Sequence, residues 1–355
     1  MIRLRHHAFK AFVKSILTIT IILALLLAFV SCQPAADNSG DEPGQKLEEN
    51  QTDESAQKPT EKPTEKPTER PTLPKELIYV SIMGGRDCSV PIEEKGFDWN
   101  NFDVIIELDP NDSTVKVIDV AWLMGMPVSD DETLAMMMMG DRYGPAALPG
   151  EIERIFDLKF SKTIIINFMG LITFLDEIGG VKTQIPEEII DDGSFSTAVD
   201  NFQYLVPDVT PPEKIESAGE KLLTGAQTLA RIITTPLRVS NVSGGTEEQI
   251  RALNAYITDM ANTLLVNSGE SIKVLGADTI VGLLKKVQPN MYASFGEEEY
   301  EDFAALMLLS VDNDTQVLRM PEESDNYALE ETEFSFVMVL DIETVRQKIK
   351  DFLAD

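Results

Sequence analysis

The run from Thr163 to Pro186 constrains the fold of this chain more than any other stretch. Thr163–Ile166 is a short unbroken apolar segment of the kind that forms a buried strand, and Phe168, Leu171, Ile172 and Leu175 then recur at helical spacing. Gly179 and Gly180 stop the helix, and Val181–Ile185 resumes as a strand before Pro186. Further strands are expected at Leu77–Met83, Asp103–Leu108 and Val115–Val120, with Asp109-Pro-Asn-Asp112 as the hairpin turn between the last two. A helix is expected from Thr246, where Gln249 completes a capping box and Ile250, Leu253, Ile257 and Met260 make the apolar face. A strand at Phe334–Leu340 and a helix presenting Val345, Ile349, Phe352 and Leu353 close the chain. Strands alternating with helices of clear period imply an α/β or α+β domain over 77–355.

Ahead of that domain the sequence cannot fold in the same way. Residues 32–76 are polar and carry Lys58-Pro-Thr-Glu61, Lys62-Pro-Thr-Glu65, Lys66-Pro-Thr-Glu69 and Arg70-Pro-Thr72. A proline at every fourth position blocks helix and sheet alike, so the segment reads as a disordered, largely extended spacer. Residues 1–31 have the three parts of an export signal: a basic start, an apolar run from Ile16 to Val30, and small Ser31 before Cys32. Ala28-Phe29-Val30-Ser31-Cys32 resembles a bacterial lipobox, although Phe29 stands where leucine is usual. The resemblance implies a lipid on the Cys32 sulfur, and the alternative is an uncleaved anchor. Either route leaves the product on the extracytoplasmic face of the membrane.

Charge and residue inventory exclude several functions. The formal charge is −30, and loss of residues 1–31 removes four of the 30 cations and none of the 60 acids, leaving −34. Nucleic acid would be repelled by such a surface. His6 and His7 both lie in the leader, so the processed chain has no histidine for a serine–histidine–acid triad or a histidine-ligated metal. With Cys32 lipidated only Cys88 remains, which cannot form an intrachain disulfide and reads as a small buried apolar group.

The gapless run Thr163–Val181 also resembles the signature of the LytR-CpsA-Psr family of cell-envelope proteins, with Asn167, Phe168, Gly170, Asp176, Gly179, Gly180, Val181 and Pro186 on its usual residues. A second block, Gly219–Ala230, resembles the segment that leads into the family's arginine pair. The resemblance implies a three-layer α/β fold with a central mixed β-sheet flanked by helices. It also implies an apolar tunnel for a polyprenyl chain, and transfer of a lipid-linked glycan phosphate onto the cell wall. Such a transfer needs arginines and a divalent cation to neutralise the phosphoryl oxygens.

Those arginines are missing. In the gapless register from Asp109-Pro110, Trp122 falls on the arginine of the family's Pro-Arg-Asp motif; from Gly225, Ile233 and Thr235 fall on its Arg-x-Arg pair. Arg86, Arg142, Arg231 and Arg238 are the cations left to an unorthodox site. Gly85-Arg86-Asp87 and Asn101-Phe-Asp103 resemble the two metal-binding segments, so Asp87 and Asp103 are the candidate Mg²⁺ ligands. The other reading of these acids is a solvated rim, and gapless counting from Pro110 places Asn101, not Asp103, on the second aspartate. Met136–Met139 suggests a lipid-contacting patch, but four consecutive methionines cannot share one face and flexible core filling is the simpler reading. Trp122, Leu123, Met124 and Met126 read as packed core, the alternatives being a tunnel mouth or a docking patch. Glu297–Glu299 and Glu301 read as a solvated helix start. The expected function is therefore a non-catalytic module that binds a polyprenyl phosphate lipid, wall glycan or partner protein, and the alternative is an active glycopolymer phosphotransferase.

Overall fold

The computed structural model describes residues 74–84, 92, 99–111, 114–129, 131–207, 209–240, 275–310, 314–322, 325, 327–331 and 336–354. The leader, Cys32, the proline repeat, Arg86, Asp87, Cys88 and the helix expected from Thr246 lie outside the described residues.

Strands β1 (Glu76–Gly84), β2 (Trp99–Leu108) and β3 (Thr114–Val120) form an antiparallel meander. Two small strands follow, β4 (Gly125–Pro127) and β5 (Thr133–Ala135), then a 3₁₀ turn at Met136–Met138 and helix α1 (Met139–Phe156), interrupted at Gly144. The strand–helix–strand run is β6 (Lys162–Asn167), α2 (Phe168–Glu177) and β7 (Val181–Ile185). Next come α3 (Glu187–Asp191), α4 (Ser194–Asp200), α5 (Phe202–Leu205), β8 (Gly219–Leu223) and α6 (Gly225–Ser240). The remainder is α7 (Ala277–Val287), β9 (Met291–Ala293), α8 (Tyr300–Ser310), β10 (Asp314–Met320), β11 (Ala328–Glu331), β12 (Phe336–Val339) and α9 (Ile342–Ala354).

The main sheet has the order β10-β3-β2-β1-β6-β9 and is mixed, because β1/β6 and β3/β10 are parallel while the other neighbours are antiparallel. Its strands lack a period of two because both faces are covered. On one face Ile78, Val80, Ile82, Val104, Ile106 and Ile164 pack against α2, α6, α7 and α8. On the other, Tyr79, Met83, Ile105, Ile118 and Ile165 pack against α1 and α9. This is the three-layer α/β fold expected. Phe168, Leu171, Ile172 and Leu175 are all buried on the α2 face toward the sheet. On α9, Val345 and Ile349 are buried and Phe352 and Leu353 half-buried, while Arg346 fastens the helix to the last carbonyls of α1 at Arg154 and Ile155, 3.1 and 2.8 Å away.

The residues that carried the resemblance hold this scaffold together. Asn167 caps α2, its Oδ1 accepting from the Gly170 amide at 2.9 Å while its Nδ2 donates to Asn290 at 3.1 Å. Asp176 reaches across to accept from the Gly225 amide at the start of α6, 2.6 Å away. Thr224 and Gln227 complete that start as a reciprocal capping box, at 3.1 and 3.2 Å. Gly180 has φ +90, and a Cβ there would lie 2.5 Å from the Leu223 carbonyl oxygen, so only glycine lets β7 and β8 pair so closely.

One end of the sheet is closed by ion pairs built on buried Glu76, Glu107, Lys116 and Lys162, which no periodicity announces. Lys116 and Lys75 meet Glu107 at 3.3 and 2.8 Å on one face. On the other, Lys162 lies 5.0 Å above the Phe295 ring and meets Glu299 at 2.8 Å and Glu76 at 3.7 Å. Glu299 is thus an ion-pair partner, and the expectation of a wholly solvated helix start at Glu297–Glu299 is corrected there.

Candidate functional site

Asp103 lies on β2 with Ser81 of β1 on one side and Val120 of β3 on the other. It is 1% exposed, so the solvated-rim reading does not hold for it. The Tyr79 hydroxyl donates to Asp103 Oδ1 at 2.6 Å, and the Tyr79 ring stacks on Phe160 with centroids 5.3 Å apart. Burial, reinforced by the carboxylate charge and the hydrogen bond, pushes the Tyr79 hydroxyl well above the usual tyrosine range. It therefore remains a donor at every physiological pH.

Does this arrangement fit a magnesium ion? Mg²⁺ takes near-octahedral oxygen coordination. One Asp103 oxygen is engaged by Tyr79, and among the described residues no three histidine, cysteine or acidic side chains converge. The described residues alone do not make a metal site; the second candidate ligand, Asp87, is not among them.

Trp122 follows β3 and is half-buried against the same layer as Asp103. Its segment is knitted into three neighbours: Ala121 N to Met320 O at 2.8 Å, Met137 N to Trp122 O at 2.8 Å, and Met338 N to Leu123 O at 2.9 Å. Its buried Nε1 finds no hydrogen-bond partner among the described residues. Leu123, Met124 and Met126 are buried, as the packed-core reading expects. Met136 and Met139 are buried, while Met137 is only half-buried, so the methionine run divides between core and periphery.

Ile233 and Thr235 lie on α6, with the Thr235 side chain outside the described residues. Ile233 is 5% exposed and belongs to the core on the sheet face opposite the cluster that Asp103 and Trp122 adjoin. Arg231, two positions earlier, is also buried and has a partner. On an α-helix two residues are about 200° apart, so Arg231 points nearly opposite to Ile233 and does not replace an arginine there. Arg142 is exposed and paired with Glu132 at 3.4 Å. Thus Asp103 and Trp122 share one side of the sheet and Ile233 lies on the other. Tyr79 is the member that sequence reasoning missed; it pairs with Ile105, two residues along β2 from Asp103, so only the strand register brings its hydroxyl to the carboxylate.

No family model matches this sequence, and no curated protein matches it either. Solved structures do match in fold. The protein gbs0355 from Streptococcus agalactiae superposes with a TM-score of 0.55 at 11% identity, covering 79% of this chain and 89% of its own. TagT bound to LIIa-WTA gives 0.52 at 10% identity over 79% and 92% of the two chains. TagV of B. subtilis gives 0.50 at 15% identity over 79% and 99%. At such identities the likeness establishes the fold: the domain has the LytR-CpsA-Psr-like architecture.

Proposed function

We propose that this chain is a lipid-anchored module on the extracytoplasmic face of the cell membrane. In this reading it keeps a LytR-CpsA-Psr-like fold to bind a polyprenyl lipid, a wall glycopolymer or an envelope partner, and does not transfer phosphate. Lipidated Cys32 would hold it to the bilayer and residues 32–76 would space it from the surface.

The observation that supports a non-catalytic role most is Ile233. At the position that resembles an arginine of the transferring site stands an apolar side chain sealed into the helix–sheet core. Each charge-assisted contact to a phosphate contributes roughly 1.5–3 kcal/mol, so losing the three at Trp122, Ile233 and Thr235 removes on the order of 10³-fold or more of phosphate stabilisation. The apolar part of a lipid incurs no such loss. A neighbour by fold, TagT, is solved with LIIa-WTA and LI-WTA, which supports a wall glycopolymer as the ligand class.

Comparing an uncharged polyprenol with the matching polyprenyl phosphate tests this directly. The two should bind the purified chain with similar affinity. A preference of about 100-fold or more for the phosphate, some 2.7 kcal/mol, would show that an intact anion site exists.

A working phosphotransferase is the second reading, and buried Arg231 is the observation that favours it, being a guanidinium held inside the protein on the helix that should carry the arginine pair. Asp87 and Asp103 would hold Mg²⁺ in that case, and the ion would neutralise phosphoryl oxygens.

A further inference from the structure

From Val209 to Ala218 the chain runs between α5 and β8 without helix or strand. Long structureless connections inside a packed domain are uncommon and often serve as covers over binding sites. This one draws apolar Val209 and Ile215 partly into the core that contains α4 and α6.

The side-chain hydrogen bonds that tie it to α4, α6 and β8 are exposed. Lys214 Nζ meets both Asp200 oxygens at the end of α4, at 2.7 and 2.8 Å, and both side chains are largely exposed. Gln227 Nε2, at the start of α6, donates to the Glu213 carbonyl at 3.2 Å. Lys221 Nζ reaches Ser217 Oγ at 2.9 Å. An exposed ion pair holds weakly, and segments held by solvent-exposed hydrogen bonds open at low free energy.

The middle and the β8 end differ in stiffness. Pro211 and Pro212 fix two successive φ angles, whereas Gly219, where the segment joins β8, has φ +106 with open space around its missing Cβ. Beside Gln227, the buried Thr228 hydroxyl has no hydrogen-bond partner among the described residues, which marks an interior whose polar groups are incompletely satisfied near the segment.

We propose that residues 209–218 form a strap that swings on Gly219 away from α4 and α6 to admit one long apolar chain, with Lys214 and Asp200 as its clasp. The inference rests on the reading of the domain as a lipid-binding module. The strap controls entry: closed, it completes the apolar layer; open, it exposes that layer's edge between α4 and α6.

The test uses the full chain in nanodiscs doped with a long-chain prenol bearing a photoactivatable diazirine, with labelled peptides identified by mass spectrometry. Label should appear on the peptides of α4 and α6. Lys214→Glu, which sets like charges together, should raise its initial rate about threefold or more, with an unchanged melting temperature. Pairing Lys214→Glu with Asp200→Lys should return the rate to the wild-type value. Equal labelling of α4 and α6 in all three forms overturns the strap while leaving lipid binding intact. Absence of label there in every form overturns the lipid-binding reading itself.

Discussion

The Tyr79 hydroxyl holds Asp103 at 2.6 Å inside a layer closed to solvent, so the best-placed acid of the candidate site is committed to the scaffold. Tyr79→Phe leaves the carboxylate buried without that donor and should cost about 1–3 kcal/mol in chemical denaturation.

The same pair predicts an alkaline weakness. Because the hydroxyl titrates well above the ordinary tyrosine value of about 10, the unfolded chain loses its proton first as pH rises. Stability from Tyr79 is fully present below pH of about 10 and is lost above it. Tyr300, pushed up to about 12 mainly by burial, adds to the same trend. Melting temperature should fall steeply above pH of about 10, and less steeply in Tyr79→Phe. A parallel decline in the two proteins would contradict the pair.

Leu175, 2% exposed on the α2 stripe, should cost about 2–5 kcal/mol when replaced by alanine. Equilibrium unfolding measures this, and a loss below about 1 kcal/mol would mean the stripe does not pack on the sheet.

Asp176→Ala and Asn167→Ala each remove a cap acceptor and should destabilise by about 1 kcal/mol. Neither should alter binding of an uncharged prenol at a temperature where the protein remains folded. A binding loss without a stability loss would move these residues from scaffold to site.

Export is tested by labelled palmitate, which should enter the wild-type chain and not Cys32→Ala. The substituted chain should be released into the medium or be retained only by its leader. Absence of palmitate from the wild type would overturn the anchor.

Much of the fold was legible in the sequence because the core is built from periodic apolar runs. Thr163–Ile166, the Phe168–Leu175 stripe and Val181–Ile185 stand within β6, α2 and β7. Pro110 and Asn111 form a turn directly after β2, which pairs antiparallel with β3, as the hairpin reading expects; Asp112 lies outside the described residues. Less legible were the short strands β4, β5 and β9, whose pairing depends on distant partners. The ion pairs of buried Lys116 and Lys162 were hidden for another reason: charged residues at strand positions read as solvent-facing, and only register brings their partners near. The signature motif identified a fold, and the structure shows why its residues say little about activity. Asn167, Asp176 and Gly180 cap helices and allow close strand pairing, so they can persist where phosphate chemistry does not. Conversely, burial of Asp103 was invisible, because an aspartate in an apolar strand has the same local pattern on a rim or inside.

The central claim is that a site with Trp122, Ile233 and Thr235 in place of three arginines does not transfer phosphate. The direct measurement is Mg²⁺-dependent release of lipid phosphate from a lipid-linked glycan by the full chain, beside an active protein of this fold under the same conditions. The account predicts no release by this chain. Turnover that disappears in Asp87→Ala would contradict it and make the protein an enzyme with a rearranged site.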